Sequence, residues 1–462
     1  MRRAAAVRVL GTLCLLAALT TVGFTAPDER RGDQLTFSDG AGVQRTITTA
    51  GSFDVDNPFF QSLGTNGRSC FTCHQPDQAW TVTPARIRER FEQTRGRDPI
   101  FRANDGSTCQ DADISTTGKR RAAFSLLLSK GLIRVGLAVP ANAEFTITDV
   151  DDPYYCGAPL SEASMFRRPL PSTNLGFLST VMWDGRETVK GQSIRDDLAT
   201  QANDATTGHA QGAPLTSGQA ADIVEFELGL FTAQSRDHGA GSLHAHGAEG
   251  GPRQLSGQAF CIGVNDPLNI LPVMPGACDK PSGGLNPNVF TLFSAWKLAD
   301  SLERGAIARG EKLFNTRAFV IDKVSGLNRD AGDPLAGPFS GTCTVCHDTP
   351  NAGNHSISMP LNIGLTDESR RTPDLPLYYI KNNATGQTVT TTDPGRAMVT
   401  GKWSDIGKFK GPVLRALAAR APYFHNGSAA VLEDVVDFYN TRFNIGLTQR
   451  EEADLVAFLN AL

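Results

Sequence analysis

Two copies of Cys-x-x-Cys-His stand far apart in this chain, as Cys70-Phe71-Thr72-Cys73-His74 and Cys343-Thr344-Val345-Cys346-His347. That spacing is the attachment signature of c-type haem. Two thioethers tether the porphyrin, and the adjacent histidine becomes an axial ligand of the iron. The pair therefore predicts two covalently bound haem c groups, with His74 and His347 as iron ligands. It also demands two pockets, each wide enough for a macrocycle. The competing reading is a pair of zinc knuckles, each needing a further nearby Cys or His. Neither copy has an obvious one, although His355 follows shortly after His347.

The ends of the chain fit that chemistry. Arg2, Arg3 and Arg8 precede an apolar run from Val9 to Leu19, and small residues follow up to Ala26. This reads as a Sec-type signal peptide over residues 1–26, and so as a periplasmic protein. A retained N-terminal anchor is the alternative. No other long apolar segment is present, so the mature chain is expected to have no integral membrane span. A formal charge of −4 argues against nucleic acid as a partner. Of nine cysteines, four lie in the two motifs and one, Cys14, lies in the signal. The others are Cys109, Cys156, Cys261 and Cys278. An even remainder in an oxidising compartment suggests two disulfides. Three pairings are possible. Cys109–Cys156 and Cys261–Cys278 are favoured because each closes a local loop, and free buried thiols are the alternative.

With 462 residues there is room for two or three domains. The two motifs imply two cytochrome c-like lobes, over about 33–290 and 300–462. Gly239 to Gly284 is rich in Gly, Pro and His and reads as an extended loop. Its His244-x-His246 pair and neighbouring His238 invite a metal reading, but a flexible surface loop is favoured. Helical spacing of apolar residues marks Arg121 to Ile133, Ala220 to Ala233, and Ser301 to Phe314. Gly305 and Gly310 weaken the last of these. Thr448-Gln449-Arg450-Glu451 is a capping box that opens a C-terminal helix. No sustained period-two alternation is present. The expectation is a mainly α protein with long loops and insertions.

Three further blocks carry a family resemblance. The first is Asn66-Gly67-Arg68-Ser69 leading into Cys70. The second runs from Pro171-Ser172-Thr173-Asn174 to Trp183-Asp184-Gly185-Arg186. The third runs from Phe409-Lys410-Gly411-Pro412-Val413-Leu414-Arg415 through Ala421-Pro422-Tyr423-Phe424-His425-Asn426-Gly427-Ser428 to Tyr439. Together they resemble the bacterial di-haem cytochrome c peroxidase and MauG superfamily. The segment 75–166 is an insertion relative to that pattern.

The resemblance implies a di-haem oxidoreductase that uses hydrogen peroxide at the His74 haem, with Trp183 relaying electrons between the haems. A plain core tryptophan is the alternative. Electrons would come from a small periplasmic cytochrome c or copper protein. In a MauG-like version a protein or organic substrate would supply them. Tyr439 matches the second-haem axial position, which is Met in the peroxidases and Tyr in the MauG-like branch. Leu432, Val435, Val436 and Tyr439 share one helix face, so Tyr439 points inward. A phenolate oxygen is a harder donor than a thioether and lowers the iron potential. Met398 or Met359 would serve if Tyr439 is only a core residue.

On the peroxidatic side Gln192 matches the family's glutamine, and the family's glutamate has no clear match. His209 is the candidate acid/base there, with iron ligation or a solvated loop as its alternatives. The resemblance places His425 beside the second haem, against a plain buried histidine. Arg415 and Lys410 are candidates for the haem propionates. The resemblance also implies calcium between the lobes, but its matching stretch is Arg167-Arg168-Pro169, with an arginine where the family has a ligating asparagine, and a cation there repels the metal. Two further functions stay open: a di-haem electron carrier without peroxidase activity, and a dioxygen-using di-haem oxygenase.

Overall fold

Helix Leu302–Thr316 and helix Gln449–Asn460 pack across each other and carry the C-terminal core. Both start as their sequences require. The Ser301 hydroxyl accepts from the Arg304 N–H. Thr448 and Glu451 form a reciprocal capping box. Phe314 and Phe458 meet with ring centroids 5.6 Å apart, and Phe290 lies edge-on to both. The contact is close because Gly310 has no side chain. A Cβ there would stand 1.9 Å from the Asp454 carbonyl oxygen. The glycine that weakens the helical pattern is what lets the two helices touch.

The computed structural model describes residues 32–261, 263–267, 284–299, 301–354 and 360–462. The expected signal peptide, Cys14, Cys278, His355 and Met359 lie outside the described residues. None of the described helices is long and apolar enough to cross a membrane.

The expectation of a mainly α protein needs correction. The structure is 31% helix and 17% strand. Strands Gln34–Ser38, Gly42–Thr48, Leu230–Asp237 and Gly241–Ser242 form an antiparallel sheet in that order. Its buried positions are largely polar. Gln44, Thr46, Thr232 and Gln234 are all nearly inaccessible. Thr46 and Thr232 share a hydroxyl hydrogen bond of 2.8 Å, and the Trp80 indole donates to Thr46. A sheet whose inner face is made of hydrogen-bonded Thr and Gln shows no apolar alternation.

Two predicted helices end early for local reasons. In Arg121 to Ile133 the helix stops at Lys130, with Gly131 left-handed as its cap, and Ile133–Ala138 is a strand paired with Glu162–Arg167. In Ala220 to Ala233 the helix Ser217–Leu228 gives way to the strand that begins at Leu230. The Gly-rich segment after Gly239 is not merely a loop. Ala240, Leu243, Ala248, Cys261 and Val264 join the C-terminal core. His238, His244 and His246 are all exposed. A third sheet pairs strand Phe145–Asp151, inside the insertion, with Leu377–Asn382, which also pairs with Thr388–Thr391. Cys109 and Cys156 form a disulfide, and Cys261 is also disulfide-bonded.

Gly310→Ala is expected to lower stability by about 2 kcal/mol through overpacking. Gly305→Ala meets only the mobile end of Arg309. It is expected to raise stability by up to about 1 kcal/mol. Thermal unfolding of the two variants checks the opposite signs.

Candidate functional site

Each Cys-x-x-Cys-His segment borders its own large cavity. The first, of about 1650 Å³, is lined by Cys70, Cys73 and His74. The second, of about 1690 Å³, is lined by Cys343, Cys346 and His347. The four cysteines make no disulfide. Burial pushes the Cys343 and Cys346 thiols up to about 12, and burial with the Glu227 carboxyl does the same for Cys70.

The two histidines are held alike. In both motifs a short 3-10 turn, Cys70–Thr72 or Cys343–Val345, puts the histidine after the turn. His74 Nδ1 lies 2.9 Å from the Trp80 carbonyl, and His347 Nδ1 lies 2.8 Å from the Gly353 carbonyl. A carbonyl can only accept, so each Nδ1 carries the proton and each Nε2 is left with a lone pair. Burial favours the neutral ring, pushing His74 down to about 4 and lowering His347 as well. A neutral imidazole with its outer nitrogen fixed is the form an iron ligand takes. Among the described residues, no three His, Cys, Asp or Glu side chains converge as a metal-binding group of their own.

The cavities share a wall, and Trp183, Arg168, Lys410 and Arg420 border both. The Trp183 indole donates to the Arg168 carbonyl at 2.8 Å. Arg415 lines the first cavity. Arg168, Lys410 and Arg415 are buried and Arg420 is half-buried, yet none pairs with a carboxylate among the described residues. Arg168 donates to the carbonyls of Lys130, Val82 and Arg420. Lys410 donates to the Thr180 carbonyl, Arg415 to that of Asn351, and Arg420 to that of Val413. Among the described residues, Arg415 Nε and Nη2 and Arg420 Nε make no hydrogen bond. Burial pushes Lys410 down to about 7, Arg415 to about 9 and Arg420 to about 10. Buried charge without a counter-ion costs several kcal/mol per ion. The donor set therefore fits a ligand that brings its own carboxylates, as haem does through its propionates.

The other expected site residues divide. Tyr439, on helix Leu432–Phe443, lines the second cavity together with His347. Burial raises its phenol, so the hydroxyl keeps its proton unless a cation meets the oxygen. Met398 is instead packed with Phe145, Ile147 and Tyr378 behind the three-stranded sheet. His209 lines the first cavity at the end of helix Ile194–Gly208. Gln192 does not reach it. It is exposed in the turn before that helix. Gln201 lines the cavity instead, on the face that also carries Leu198, Ala202, Ala205 and His209. That helical spacing is the signal that would have found it.

His425 lines neither cavity. It is fully buried, stacked on Phe409 at 4.0 Å and edge-on to Trp183 at 6.3 Å. Among the described residues neither ring nitrogen makes a hydrogen bond, Nε2 lying 3.8 Å from Asp393 Oδ2, and burial pushes the ring down to about 4. Beside it, Arg167 pairs with both Asp184 and Asp393. Within the stretch considered for calcium, the Arg167 guanidinium thus already joins two carboxylates.

Sequence reasoning missed Asp105 and Glu227, which both line the first cavity. Glu227 is buried with Oε2 unbonded, and burial pushes it up to about 7 against the opposing Ser172 hydrogen bond. The folded state therefore keeps a proton that the unfolded chain loses above pH 4.5. Stability is full below that pH, falls as the pH rises through 7, and is about 3 kcal/mol lower above it. Glu227→Gln is expected to unfold at a higher temperature than wild type at pH 8. The advantage should vanish near pH 4.5.

No protein-family model matches the chain. Cytochrome-c peroxidase IdrP2 of Denitromonas iodatirespirans is 34% identical over 132 residues, covering 26% of this chain and 36% of that protein. Cytochrome-c peroxidase IdrP1 of the same organism is 36% identical over 149 residues, covering 27% and 38%. Cytochrome c551 peroxidase of Nitrosomonas europaea is 32% identical over 163 residues, covering 34% and 42%. The chain thus spans 36% to 42% of the length of these relatives. A solved MauG-like protein associated with microbial copper homeostasis aligns over 88% of this chain and 86% of its own, with a TM-score of 0.40 and 17% identity. The curated proteins to which this chain is similar are thus named cytochrome-c or cytochrome c551 peroxidases.

Proposed function

We propose that this chain is a periplasmic di-haem c peroxidase of the cytochrome c peroxidase and MauG type, in its MauG-like branch. The observation that carries the reading is the pair of Cys-x-x-Cys-His cavities sharing a wall of Trp183 and uncompensated cations. Cys70 with Cys73, and Cys343 with Cys346, would each tether one haem, and His74 and His347 would bind the irons. Arg168, Lys410, Arg415 and Arg420 would meet the propionates. When bound, the haem supplies an iron that exchanges electrons with peroxide.

The chain's own residues supply the rest. Reduction of peroxide to two waters takes two electrons and two protons. His209 would accept the first proton of peroxide and return it to the oxygen that leaves as water. Gln201, on the same helix face, would orient the peroxide by hydrogen bonding, the role the sequence pattern gave to Gln192. Trp183 would pass oxidising equivalents between the two centres. Tyr439 would complete the second centre and hold its potential low. The electrons would come from a small periplasmic redox protein or from an organic or protein substrate.

Peroxide titration of the purified holoprotein, followed by optical and EPR spectra, tests the reading. The expected result is two haems per chain by pyridine haemochrome, one of them high-spin and responsive to peroxide. Two low-spin signals with no response would leave the electron-carrier reading. Oxygen uptake without peroxide would favour the oxygenase. Tyr439→Met is expected to raise the potential of the second haem in a redox titration. An unchanged potential and spectrum would remove Tyr439 from the ligand set.

A further inference from the structure

The insertion reaches the first cavity at one buried carboxylate. Asp105 is 6% exposed. Its Oδ2 lies 2.5 Å from His209 Nδ1, and its other oxygen pairs with the Arg68 guanidinium. Burial alone would raise this carboxyl, but the His209 hydrogen bond and the Arg68 charge outweigh it and keep it ionised. An ionised carboxylate only accepts, so His209 carries its proton on Nδ1. No hydrogen bond engages Nε2 among the described residues. The ring is half exposed. It can therefore exchange protons with solvent.

The surroundings hold this pair still. The His209 carbonyl accepts from Asn66 Nδ2 at 2.7 Å and from Arg68 at 3.3 Å. Arg68 is fixed in turn by the carbonyls of Pro99 and Ile100. The Asp105 carbonyl accepts from the Arg134 N–H at 2.7 Å. Four residues on, the Cys109–Cys156 disulfide closes the loop. This amounts to more bracing than a solvated loop histidine needs.

We infer that Asp105, supplied by the insertion 75–166, is the positioning residue that fixes the His209 tautomer and leaves Nε2 as the proton acceptor of the first cavity. The inference rests on the proposed reading that this cavity holds the peroxide-reactive haem. On this view the insertion is part of the active site. It supplies a carboxylate that acts through histidine, not on peroxide directly.

A double-mutant cycle on the holoprotein tests it, using His209→Gln, Asp105→Asn and the two together. Two rates are read: reaction with peroxide, and association of cyanide, which must give up the proton of HCN to bind. An amide at 105 can still accept from Arg68 but donates to Nδ1, which moves the ring proton to Nε2. Each single variant is expected to slow both rates by about 10²-fold. The double variant should be no slower than His209→Gln alone, with both haem potentials unchanged. If Asp105→Asn does not accumulate as holoprotein, the cycle is read on Asp105→Ala, which removes the acceptor from Nδ1 while Arg68 keeps the Pro99 and Ile100 carbonyls. Additive losses, or an Asp105 variant as fast as wild type, overturn the inference. A wild type that ignores peroxide overturns the peroxidase reading, while the dyad still stands or falls on the cyanide rates.

Discussion

Uncompensated positive charge at the wall between the cavities is the constraint from which the rest of the molecule follows. Arg168, Lys410 and the half-buried Arg420 stand at that wall, and the buried Arg415 lines the first cavity beside it; among the described residues their hydrogen-bond partners are backbone carbonyls. Carbonyl dipoles soften the desolvation cost but do not neutralise it. Such a wall calls for something anionic to complete it, and the two proposed porphyrins would bring that charge in their propionates. The pairing Arg167 makes with Asp184 and Asp393 shows the contrast. Beside the wall, where no ligand is needed, the chain satisfies its own buried arginine.

What the sequence made legible was chemistry with a fixed local spacing. The two Cys-x-x-Cys-His turns, the Thr448 capping box and the inward face of Tyr439 depend only on residues a few positions apart. The structure bears out the cap and puts Tyr439 on the second cavity wall, and Trp183 stands where both cavities meet. The disulfide between Cys109 and Cys156 also follows local loop closure.

What stayed hidden depends on contacts far apart in sequence. Asp105 carries no motif, and its role exists only because a distant helix end delivers His209 to it. Gln192 is matched by its position after the Trp-Asp-Gly-Arg block, but it falls in the turn before helix Ile194–Gly208, and Gln201 on that helix faces the cavity. The strands escaped because their buried faces are Thr and Gln, whose hydrogen bonds replace the apolar signal. Gly310 misled in the opposite sense, since a residue poor for an isolated helix was chosen for what it lets a neighbour do.

The three-stranded sheet carries a consequence of its own. Strand Phe145–Asp151 belongs to the stretch that also supplies Asp105, yet its partner Leu377–Asn382 belongs to the C-terminal half. A tie of this kind resists hinge motion between the two halves of the chain. Tunnelling rates fall steeply with separation, so under the proposed di-haem reading a rigid span would keep charge hopping from one centre to the other nearly constant in time. The inserted segment would thus act as a strut that sets the electrical spacing of the two proposed centres.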